Sequence, residues 1–462
     1  MGVIALGDVT FDAAFPVVVI GAGAAGLIAA LRARAEGAEV LVIERDAVPR
    51  GSTALSAGLI PAAGTRWQDA AGVTDSIASF AADIMRKAHD TPDPALASLA
   101  AAEVGPTLDW LHAAHGLDFS LVRDFRYPGH SAYRMHGLAS RSGVELIDRL
   151  RTAAEAAGVE ILCNAHATDL VADAVRVYGV AIARPDGSRE VIGSRALVLA
   201  CNGYGGNRDL VGRHIPQLAD ALYFGHPGNR GDAVLWGQAL GADIRHLSGH
   251  QGHGSVAHPV GILITWATIT EGGVQVNAEG RRFSNEAAGY SEQAAPVLAQ
   301  PNGVVWTIFD QRIADIAAQF EDFRQADAAG AIVRADRLDA LAAMIGLDRL
   351  TFSSTMAGVE ALKISGGTDG FGRNFAGVAQ LAAPFCAVRV TGALFHTQGG
   401  LVIDRQARVL RQDGTPIANL FAAGGAACGV SGPDAAGYLS GNGLLTAVAF
   451  GSVAGREAAG LG

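Results

Sequence analysis

The pattern of apolar and polar residues along the chain is that of a mixed α/β protein. Residues 17–20 are an unbroken run of β-branched side chains, which is typical of a buried parallel strand. The alanine-rich residues 27–35 predict a helix that Gly37 ends, and residues 39–43 predict a second strand. Further elements are predicted as helices within 75–160 and as strands at 158–162, 174–183, 190–192 and 196–200. Strands that alternate with helices in this way predict the α/β class.

A glycine-rich turn connects the first strand to the first helix, and residues 21–26 read Gly-Ala-Gly-Ala-Ala-Gly. Gly21 would permit the tight turn, Gly23 would let the backbone approach a pyrophosphate, and Gly26 would let the helix pack closely. Glu44 ends the second strand, where a carboxylate can accept hydrogen bonds from a ribose hydroxyl. The order of strand, turn, helix, strand and acid predicts a dinucleotide-binding unit.

A second notable stretch is residues 435–455, which carry no charge over about the length of a membrane span. The stretch also contains several glycines together with Tyr438, Ser440 and Asn442. These residues favour a buried loop and helix that serve a ligand over a transmembrane helix.

Composition excludes several classes of protein. Hydrophobic residues make up 50% of the chain and charged residues 17%, so the bulk of the chain is not disordered. The net charge is −10 and no basic tract is present, so nucleic acid is not an expected partner. The four cysteines form no C-x-x-C pair, which argues against a disulfide framework, a zinc ribbon or an attached haem and favours a reducing cytoplasm. The first residues lack the basic start of a secretory signal.

Four histidines lie close together in the middle of the chain, at positions 246, 250, 253 and 258. Their spacing does not match the H-E-x-x-H pattern, and no cluster of acidic or cysteine ligands accompanies them. No metal site is therefore predicted.

Seven segments together resemble the flavoproteins of the fumarate reductase and succinate dehydrogenase group, which includes the 3-ketosteroid dehydrogenases. The segments are 17–44, 51–58, 200–207, 277–286, 396–400, 420–424 and 437–458. The resemblance implies a Rossmann-like, glutathione-reductase-type FAD domain (residues 1–252 and 382–462) with an inserted α+β cap domain (residues 253–381). Residues 50–53 contain no histidine that could carry the flavin, so non-covalent FAD is expected.

The resemblance also implies a set of FAD contacts. One departure is Gly425, because fumarate reductase relatives carry a glutamate there. The residues that match cofactor-binding positions are Gly21, Ala22, Gly23, Ala24, Ala25, Gly26, Glu44, Arg45, Gly51, Ser52, Thr53, Ser56, Ala57, Gly58, Ala167, Ala200, Asn202, Gly203, Asn207, Asp232, His396, Gly424, Gly425, Asn442, Gly443, Leu444 and Leu445.

The positions that bind a dicarboxylate in fumarate reductases are mostly changed in this chain. One histidine of that set is retained as His253, but the other three positions hold Tyr290, Phe395 and Tyr438. A dicarboxylate would lose its counter-ions there, at a cost of several kcal/mol. Fumarate and succinate are therefore disfavoured as substrates.

The same replacements resemble those of the 3-ketosteroid dehydrogenases. There, a tyrosine at the position of Tyr290 removes a proton next to the carbonyl group, and a second tyrosine, resembled by Tyr438, hydrogen-bonds the carbonyl oxygen. Tyr438 and Ser440 match the Tyr-x-Ser of the 4-dehydrogenating members, and His253 is a candidate activator of Tyr290. The predicted catalytic residues are thus Tyr290, Tyr438, Ser440 and His253.

The expected function is the α,β-desaturation of a cyclic ketone or 3-ketosteroid, with hydride transfer to flavin N5 and an external electron acceptor. Two alternatives are an enone or enoate reductase of the fumarate reductase type and a flavoprotein subunit that passes electrons to a partner.

Overall fold

The computed structural model describes residues 2–123 and 126–461, and the chain divides into two compact units. The first unit contains the residues up to Ile215, Phe224–His250 and the residues from His396 onwards. The second unit contains Pro216–Tyr223 and Gln251–Phe395. Each unit has its own hydrophobic core.

Most of the strands are short, and the two longest have 11 and 13 residues. In chain order they are β1 (Gly2–Ile4), β2 (Ala13–Ile20), β3 (Val40–Ile43), β4 (Ile60–Pro61), β5 (Ser120–Leu121), β6 (Met135–Gly137), β7 (Glu160–Leu162), β8 (His166–Ala172), β9 (Val177–Ala183), β10 (Arg189–Leu199), β11 (Leu222–Tyr223), β12 (Ile244–Arg245), β13 (His250–Ala257), β14 (Ile262–Leu263), β15 (Val274–Val276), β16 (Val304–Asp310), β17 (Ile332–Ala335), β18 (Phe385–Thr397), β19 (Gly400–Leu401), β20 (Arg408–Leu410) and β21 (Pro416–Ala422).

The α-helices vary from a single turn to six turns. In chain order they are α1 (Ala24–Ala35), α2 (Arg66–Ala70), α3 (Ile77–Lys87), α4 (Pro94–His115), α5 (Gly143–Ala156), α6 (Arg208–His214), α7 (Asp232–Ala239), α8 (Ala267–Thr270), α9 (Ala294–Leu298), α10 (Gln311–Ala317), α11 (Glu321–Ala328), α12 (Leu338–Ile345), α13 (Arg349–Ser365) and α14 (Asn442–Ala459).

The sheet of the first unit has a parallel centre, in which β7, β3, β2, the end of β10 and β21 lie side by side. The predicted strands 190–192 and 196–200 are one continuous strand, β10. Its first residues pair antiparallel with β9 and its last residues pair parallel with β2 and β21, so a single strand serves two kinds of partner. The α/β class is confirmed, because the buried apolar runs form the centre of this sheet.

Helices α1 and α14 pack against each other at backbone distance in the first unit. A Cβ atom on Gly451 would lie 2.7 Å from the Ala25 carbonyl oxygen, and one on Gly455 would lie 2.1 Å from that of Ala29. Side chains at these two positions would therefore separate the helices. The Arg32 Nε donates to the Ser452 Oγ at 2.9 Å and adds a polar contact to the same pair of helices.

The second unit is built on a sheet in the order β14, β13, β18, β16 and β15, with β11 and β17 also paired to β18. The pairing of β18 with β16 and β17 places residues 385–395 in this unit. The sequence predicts a cap of residues 253–381, which ends before β18 begins.

Two further differences concern the helical part of the first unit. The region predicted as helical, 75–160, also contains the short strands β5 and β6. The uncharged segment 435–455 is a loop that leads into α14, which begins at Asn442. Within residues 2–123 and 126–461, no helix combines the length and the apolar character that crossing a bilayer requires.

Candidate active site

The glycine-rich turn between β2 and α1 contains glycines of two kinds. Gly21 has a φ of +105°, and a Cβ atom on Gly26 would lie 1.8 Å from the Gly21 carbonyl oxygen, so the fold itself requires both. A Cβ atom on Gly23 would meet nothing nearer than the Thr53 Oγ1 at 3.6 Å. Packing within the protein therefore does not require a glycine at position 23. The open space beside the Gly23 backbone forms a cradle that a side chain would fill.

Four of the predicted cofactor residues are joined by hydrogen bonds around this turn. The buried Glu44 carboxylate accepts from the Ala22 N–H at 2.8 Å and from the Asp46 N–H at 3.0 Å. The Thr53 Oγ1 accepts from the Ala24 N–H at 3.0 Å, at the start of α1. Gly23, the N-cap of α1, has no side chain that could cap the helix, and the helix dipole makes this end favourable for an anionic group.

The loop at residues 51–58 is held by its own hydroxyl groups. The Ser52 Oγ accepts from the His226 N–H at 3.1 Å and from the Asn229 Nδ2 at 2.8 Å. The Ser56 Oγ donates to the Thr53 carbonyl at 2.7 Å and accepts from the Gly58 N–H at 3.1 Å. These contacts fix the shape of the predicted loop. Within this loop Gly51 is half-buried and Ala57 is exposed.

Asp232 begins α7 and is only 4% exposed. Burial raises the pKa of its carboxyl group, while Arg45, 3.7 Å from Oδ2, acts in the opposite direction. Among the described residues, its Oδ1 has no hydrogen-bond partner. A buried acceptor without a protein donor fits a site that is completed by a ligand hydroxyl.

The remaining predicted contacts lie on the same sheet or on the loops that follow it. Ala167 is buried on β8, and the N–H of Ala200 donates to the Ile20 carbonyl at 2.9 Å. The Asn207 side chain accepts from the Leu210 N–H as the N-cap of α6, a structural role that the sequence pattern did not indicate.

Two more glycines of the predicted set are required by close packing within the chain. A Cβ atom on Gly203 would lie 2.0 Å from the Thr397 Oγ1, and one on Gly425 would lie 2.1 Å from the Asn202 Oδ1. Gly424 has a φ of +59°. These glycines therefore serve the packing of the chain on itself and not a ligand directly.

The loop before α14 ends in an open helix N-terminus. Gly441 is its N-cap, with a φ of +87°, and has no side-chain cap, while Asn442, Gly443, Leu444 and Leu445 form the first turn. Asn442 is fully buried, and its Oδ1 has no partner within the described part of the chain. This second orphaned acceptor belongs to a residue that the family resemblance predicts as a cofactor contact.

Tyr438 belongs to the same loop, and its phenol oxygen accepts hydrogen bonds from the backbone of Gly441 and Gly443. Burial is nevertheless dominant and raises the pKa of Tyr438, so the phenol keeps its proton at neutral pH. The Tyr438 ring meets the His396 ring edge-on, with centroids 5.5 Å apart. The neighbouring Ser440 carbonyl lies 2.9 Å from the His130 Nε2, a residue that the sequence analysis did not identify.

Tyr290 and His253 lie together in the second unit, in a cluster of aromatic rings. The His253 ring stacks on the Tyr290 ring, with centroids 5.0 Å apart and planes at 22°, and lies 5.3 Å from the Phe395 ring. Trp266, which was not predicted, meets His253 edge-on at 5.6 Å. Burial lowers the pKa of His253 to about 3, so its ring is neutral at physiological pH.

Hydrogen bonds fix the backbone and the tautomer of this cluster. The Tyr290 carbonyl accepts from the Gly254 N–H at 2.9 Å, which holds the tyrosine beside the histidine strand. The His253 Nδ1 accepts from the Ser255 N–H at 3.2 Å, so the hydrogen of the neutral ring is on Nε2. The buried Glu286 accepts from Arg282 and pairs with Arg373 at 2.9 Å, which anchors the segment before Tyr290.

The other histidines of the middle segment have separate partners. The His246 Nδ1 lies 3.7 Å from the Cys428 Sγ, and the His250 Nδ1 lies 2.8 Å from the Ser248 carbonyl. Over the ranges 2–123 and 126–461, no group of three or more His, Cys, Asp or Glu side chains could hold a metal ion.

Comparison with known proteins places this site in a family. A family model described as "FAD binding domain" matches residues 16–444. A protein of Shewanella frigidimarina (strain NCIMB 400) named "Probable fumarate reductase Ifc3" is 31% identical over 444 residues, which are 96% of this chain and 74% of that protein. The chain belongs to the fumarate reductase family of FAD-binding flavoproteins. FAD is therefore its cofactor, and the chain is an FAD-dependent oxidoreductase.

One further relative and one structural neighbour have names that refer to ketones. The 4-oxocyclohexanecarboxylate 2-dehydrogenase of Sinomonas cyclohexanicum is 24% identical over 96% of this chain and 93% of its own length. Among solved structures, the open conformation of a flavocytochrome c3 fumarate reductase has a TM-score of 0.83, with 30% identity over 98% of this chain and 79% of that chain. The 3-ketosteroid-Δ4-(5α)-dehydrogenase of Rhodococcus jostii RHA1 has a TM-score of 0.76, with 24% identity over 98% of both chains, and shares the fold.

The cradle at Gly23 and the orphaned acceptors on Asp232 and Asn442 are consistent with FAD as the cofactor of this family member. The residues that would hold it are those of the glycine-rich turn, Glu44, the 51–58 loop and the first turn of α14. The isoalloxazine of bound FAD supplies a two-electron acceptor.

Proposed function

We propose that the chain is an FAD-dependent dehydrogenase that introduces a double bond next to the carbonyl group of a cyclic ketone or 3-ketosteroid. The proposal depends on the neutrality of four positions that bind a dicarboxylate in fumarate reductases. Three of them hold Tyr290, Phe395 and Tyr438, and burial lowers the pKa of the fourth, His253, to about 3. A dicarboxylate would find no counter-ion on these residues, whereas a neutral ketone needs none.

The two tyrosines have different roles in the proposed reaction. Tyr290 removes a proton from the carbon next to the carbonyl group, and the C–H electron pair forms an enolate. Tyr438 donates its O–H to the carbonyl oxygen, where the negative charge develops. The raised pKa of Tyr438 suits a donor, because the group remains protonated at neutral pH. FAD, when bound, would supply the acceptor for the hydrogen and the electron pair that leave the β carbon, so that the double bond can form.

Activation of Tyr290 is part of the proposal, because an ordinary tyrosine has a pKa of about 10. His253 is the candidate, since its ring stacks on that of Tyr290 and its tautomer carries the hydrogen on Nε2. The dipole of a neutral Nε2–H group beside the phenol can stabilise its anionic form. Ser440 would support the loop that carries Tyr438.

Two relatives support this choice of substrate class, and another supports an alternative. The Sinomonas dehydrogenase is named for a cyclic ketone, and the Rhodococcus structure is that of a ketosteroid dehydrogenase. The second candidate function is an enone or enoate reductase, and it is favoured by the 31% identical relative that is named a fumarate reductase. Either activity requires an external electron donor or acceptor, as would a flavoprotein subunit that serves a redox partner.

The experiment that tests the proposal is an anaerobic titration of the FAD-loaded protein. Saturated cyclohexanone derivatives and 3-ketosteroids should bleach the oxidised flavin spectrum and yield one equivalent of conjugated enone per flavin. In a parallel sample, the reduced protein is mixed with fumarate and with other unsaturated acids. If no ketone bleaches the flavin and an unsaturated acid reoxidises it, the reductase is the correct function and the dehydrogenase is not.

A further inference from the structure

Four side chains of the first unit form a continuous hydrogen-bonded chain, His396–Gln398–Ser431–Asn442. The Gln398 Nε2 lies 2.6 Å from the His396 Nδ1, the Ser431 Oγ lies 2.7 Å from the Gln398 Oε1, and the Asn442 Nδ2 lies 2.9 Å from the Ser431 Oγ. Gln398, Ser431 and Asn442 are all buried. The four residues come from three separate parts of the sequence, namely the end of β18 with the residue after it, the loop at Ser431, and the start of α14.

Ser431 determines which groups donate and which accept along this hydrogen-bonded chain of side chains, because its hydroxyl group has a single hydrogen. The Ser431 Oγ accepts from the Asn442 amide, so its own hydrogen is free to go to the Gln398 Oε1. The Gln398 NH₂ group then faces His396, and an NH₂ group can only donate. The His396 Nδ1 is therefore an acceptor, and the hydrogen of the neutral ring is on Nε2. The Thr397 carbonyl, 3.4 Å from the same Nδ1, makes a longer contact.

The central glutamine is fixed by its backbone as well as by its side chain. The Gln398 N–H donates to the Gly249 carbonyl at 2.8 Å, and the Gly429 N–H donates to the Gln398 carbonyl at 2.8 Å. These two hydrogen bonds fix the backbone of Gln398. Its contacts with His396 and Ser431 fix the direction of the side-chain amide. Gln398 is thus suited to fix the orientation of the His396 ring.

Both ends of this hydrogen-bonded chain of side chains lie at the N-terminus of α14. At one end, the Asn442 Oδ1 is a buried acceptor without a partner among the described residues. At the other end, the His396 Nε2 lies 2.7 Å from the point that a Cβ atom on Gly443 would occupy, so the imidazole rests on the first turn of the helix. One end is a donor and the other an acceptor, and the pyrimidine ring of a flavin offers adjacent carbonyl acceptors and an N–H donor.

We propose that Gln398 and Ser431 are positioning residues that fix His396 in its Nε2–H tautomer, so that His396 and Asn442 meet the flavin pyrimidine ring as a matched donor and acceptor. Reduction places negative charge on the N1 and O2 edge of this ring, and a fixed N–H donor stabilises that charge. Burial lowers the pKa of His396 to about 4, so the position of one hydrogen, and not a full charge, determines what the ring donates. The proposal does not depend on which substrate the enzyme uses.

The direct test is the tautomer itself, measured by ¹⁵N NMR of histidine-labelled protein with and without FAD, with the His396 signals assigned from their loss in His396→Gln. The expected spectrum is that of an Nε2–H tautomer at pH 7 in both samples. An Nδ1–H tautomer or an imidazolium ion at pH 7 would overturn the proposal. This measurement uses the parent protein, so it does not depend on the folding of a variant with an altered Gln398.

A second measurement uses Gln398→Glu, whose carboxylate can only accept and would draw the hydrogen to Nδ1. The tautomer should reverse, and the equilibrium between oxidised and reduced FAD should shift at least tenfold towards the oxidised form, which is ~30 mV for a two-electron couple. Gln406→Glu is the matched control, because Gln406 is exposed and the charge change is the same. Equal potentials in the two variants would contradict the proposal. Photoreduction without any ketone keeps the result separate from the proposed dehydrogenase activity.

Discussion

The imidazole of His253 stacks on the phenol ring of Tyr290, with ring centroids 5.0 Å apart and ring planes 22° apart. Three aromatic neighbours, Tyr290, Phe395 and Trp266, surround the histidine within the second unit. Such surroundings stabilise the neutral imidazole over the imidazolium ion. His253, which stands at a position that binds a dicarboxylate in fumarate reductases, is therefore part of a neutral aromatic cluster.

Tyr290→Phe should abolish most of the turnover and leave FAD in place. The change removes only the phenol oxygen, and a positioned general base contributes about 10²–10⁴-fold to a rate. The loss should therefore be at least ~100-fold in the rate of flavin bleaching by a saturated cyclic ketone. Tyr178→Phe is the matched control, because the hydroxyl of this half-buried tyrosine donates to the exposed Asp173. Near-normal bleaching in Tyr290→Phe would remove Tyr290 from the mechanism.

Tyr438→Phe should lower the turnover number more than it changes KM. Its phenol is the proposed donor to the developing enolate oxygen, and loss of one such donor costs about 10²–10³-fold in turnover. Steady-state kinetics with an artificial acceptor would measure this. Unchanged kinetics, with the FAD content equal to that of the parent, would show that another group polarises the carbonyl.

The stability of the second unit should decrease as the pH falls below 6.5, partly because of His253. Its pKa in the folded protein is about 3 against an ordinary value of 6.5, so only the unfolded state takes up the proton in between. The stabilisation is complete above pH 6.5 and is lost as the pH falls towards 3. Between pH 6.5 and 5 the loss should be about 1–2 kcal/mol.

His253→Phe keeps an aromatic ring in the cluster and removes the titrating group. Denaturant unfolding at pH 7 and at pH 5 should then show a difference in the free energy of unfolding that is smaller than in the parent. His258→Gln, a change at an exposed histidine, should leave that difference as it is in the parent. A difference that is equal in all three proteins would show that His253 takes up its proton in the folded state as well.

Gly23→Ala and Gly26→Ala should have opposite consequences although both lie in the same turn. A methyl group on Gly23 would meet only the Thr53 Oγ1 at 3.6 Å, so the apoprotein should unfold within about 1 kcal/mol of the parent. FAD should bind at least ~10-fold more weakly, because the methyl group occupies the cradle. Fluorescence titration of the apoprotein with FAD measures this loss, and unchanged affinity would mean that the phosphates do not approach Gly23.

A methyl group on Gly26 would lie 1.8 Å from the Gly21 carbonyl oxygen, so this variant should fail as a folded protein even without FAD. Circular dichroism and thermal unfolding of the apoprotein would show it. A stable, FAD-free Gly26→Ala protein would contradict the packing role of that glycine.

The local geometry that the sequence predicted well is that of the first glycine-rich turn, where the spacing along the chain is fixed. Gly21, Gly23 and Gly26 follow one another along a strand–turn–helix unit, so the chain order already determines their geometry. Glu44 follows at the end of the next parallel strand, and the structure brings it into hydrogen-bond contact with the turn at the Ala22 N–H. Local pattern was sufficient in these cases because adjacent parallel strands end at the same edge of the sheet.

Other parts of the site could not be predicted, because side-chain hydrogen bonds between distant loops leave no periodic pattern. His130 and Ser440 are 310 residues apart in sequence, and Gln398 and Ser431 are 33 apart. Asn207 matched a cofactor position, but its side chain also caps α6, a role that only the helix boundary reveals. The limits of the second unit depend likewise on the pairing of β18 with β16 and β17.

The backbone contact between α1 and α14 has a consequence for biosynthesis. The nucleotide-binding helix near the start of the sequence packs on a helix that follows it by more than four hundred residues, as the 420-residue separation of Arg32 and Ser452 shows. A ribosome synthesises the chain from its N-terminus. The apolar face of α1 therefore cannot pack against α14 until more than four hundred further residues have been made. During that interval the nascent first unit exposes a surface that chaperones would bind.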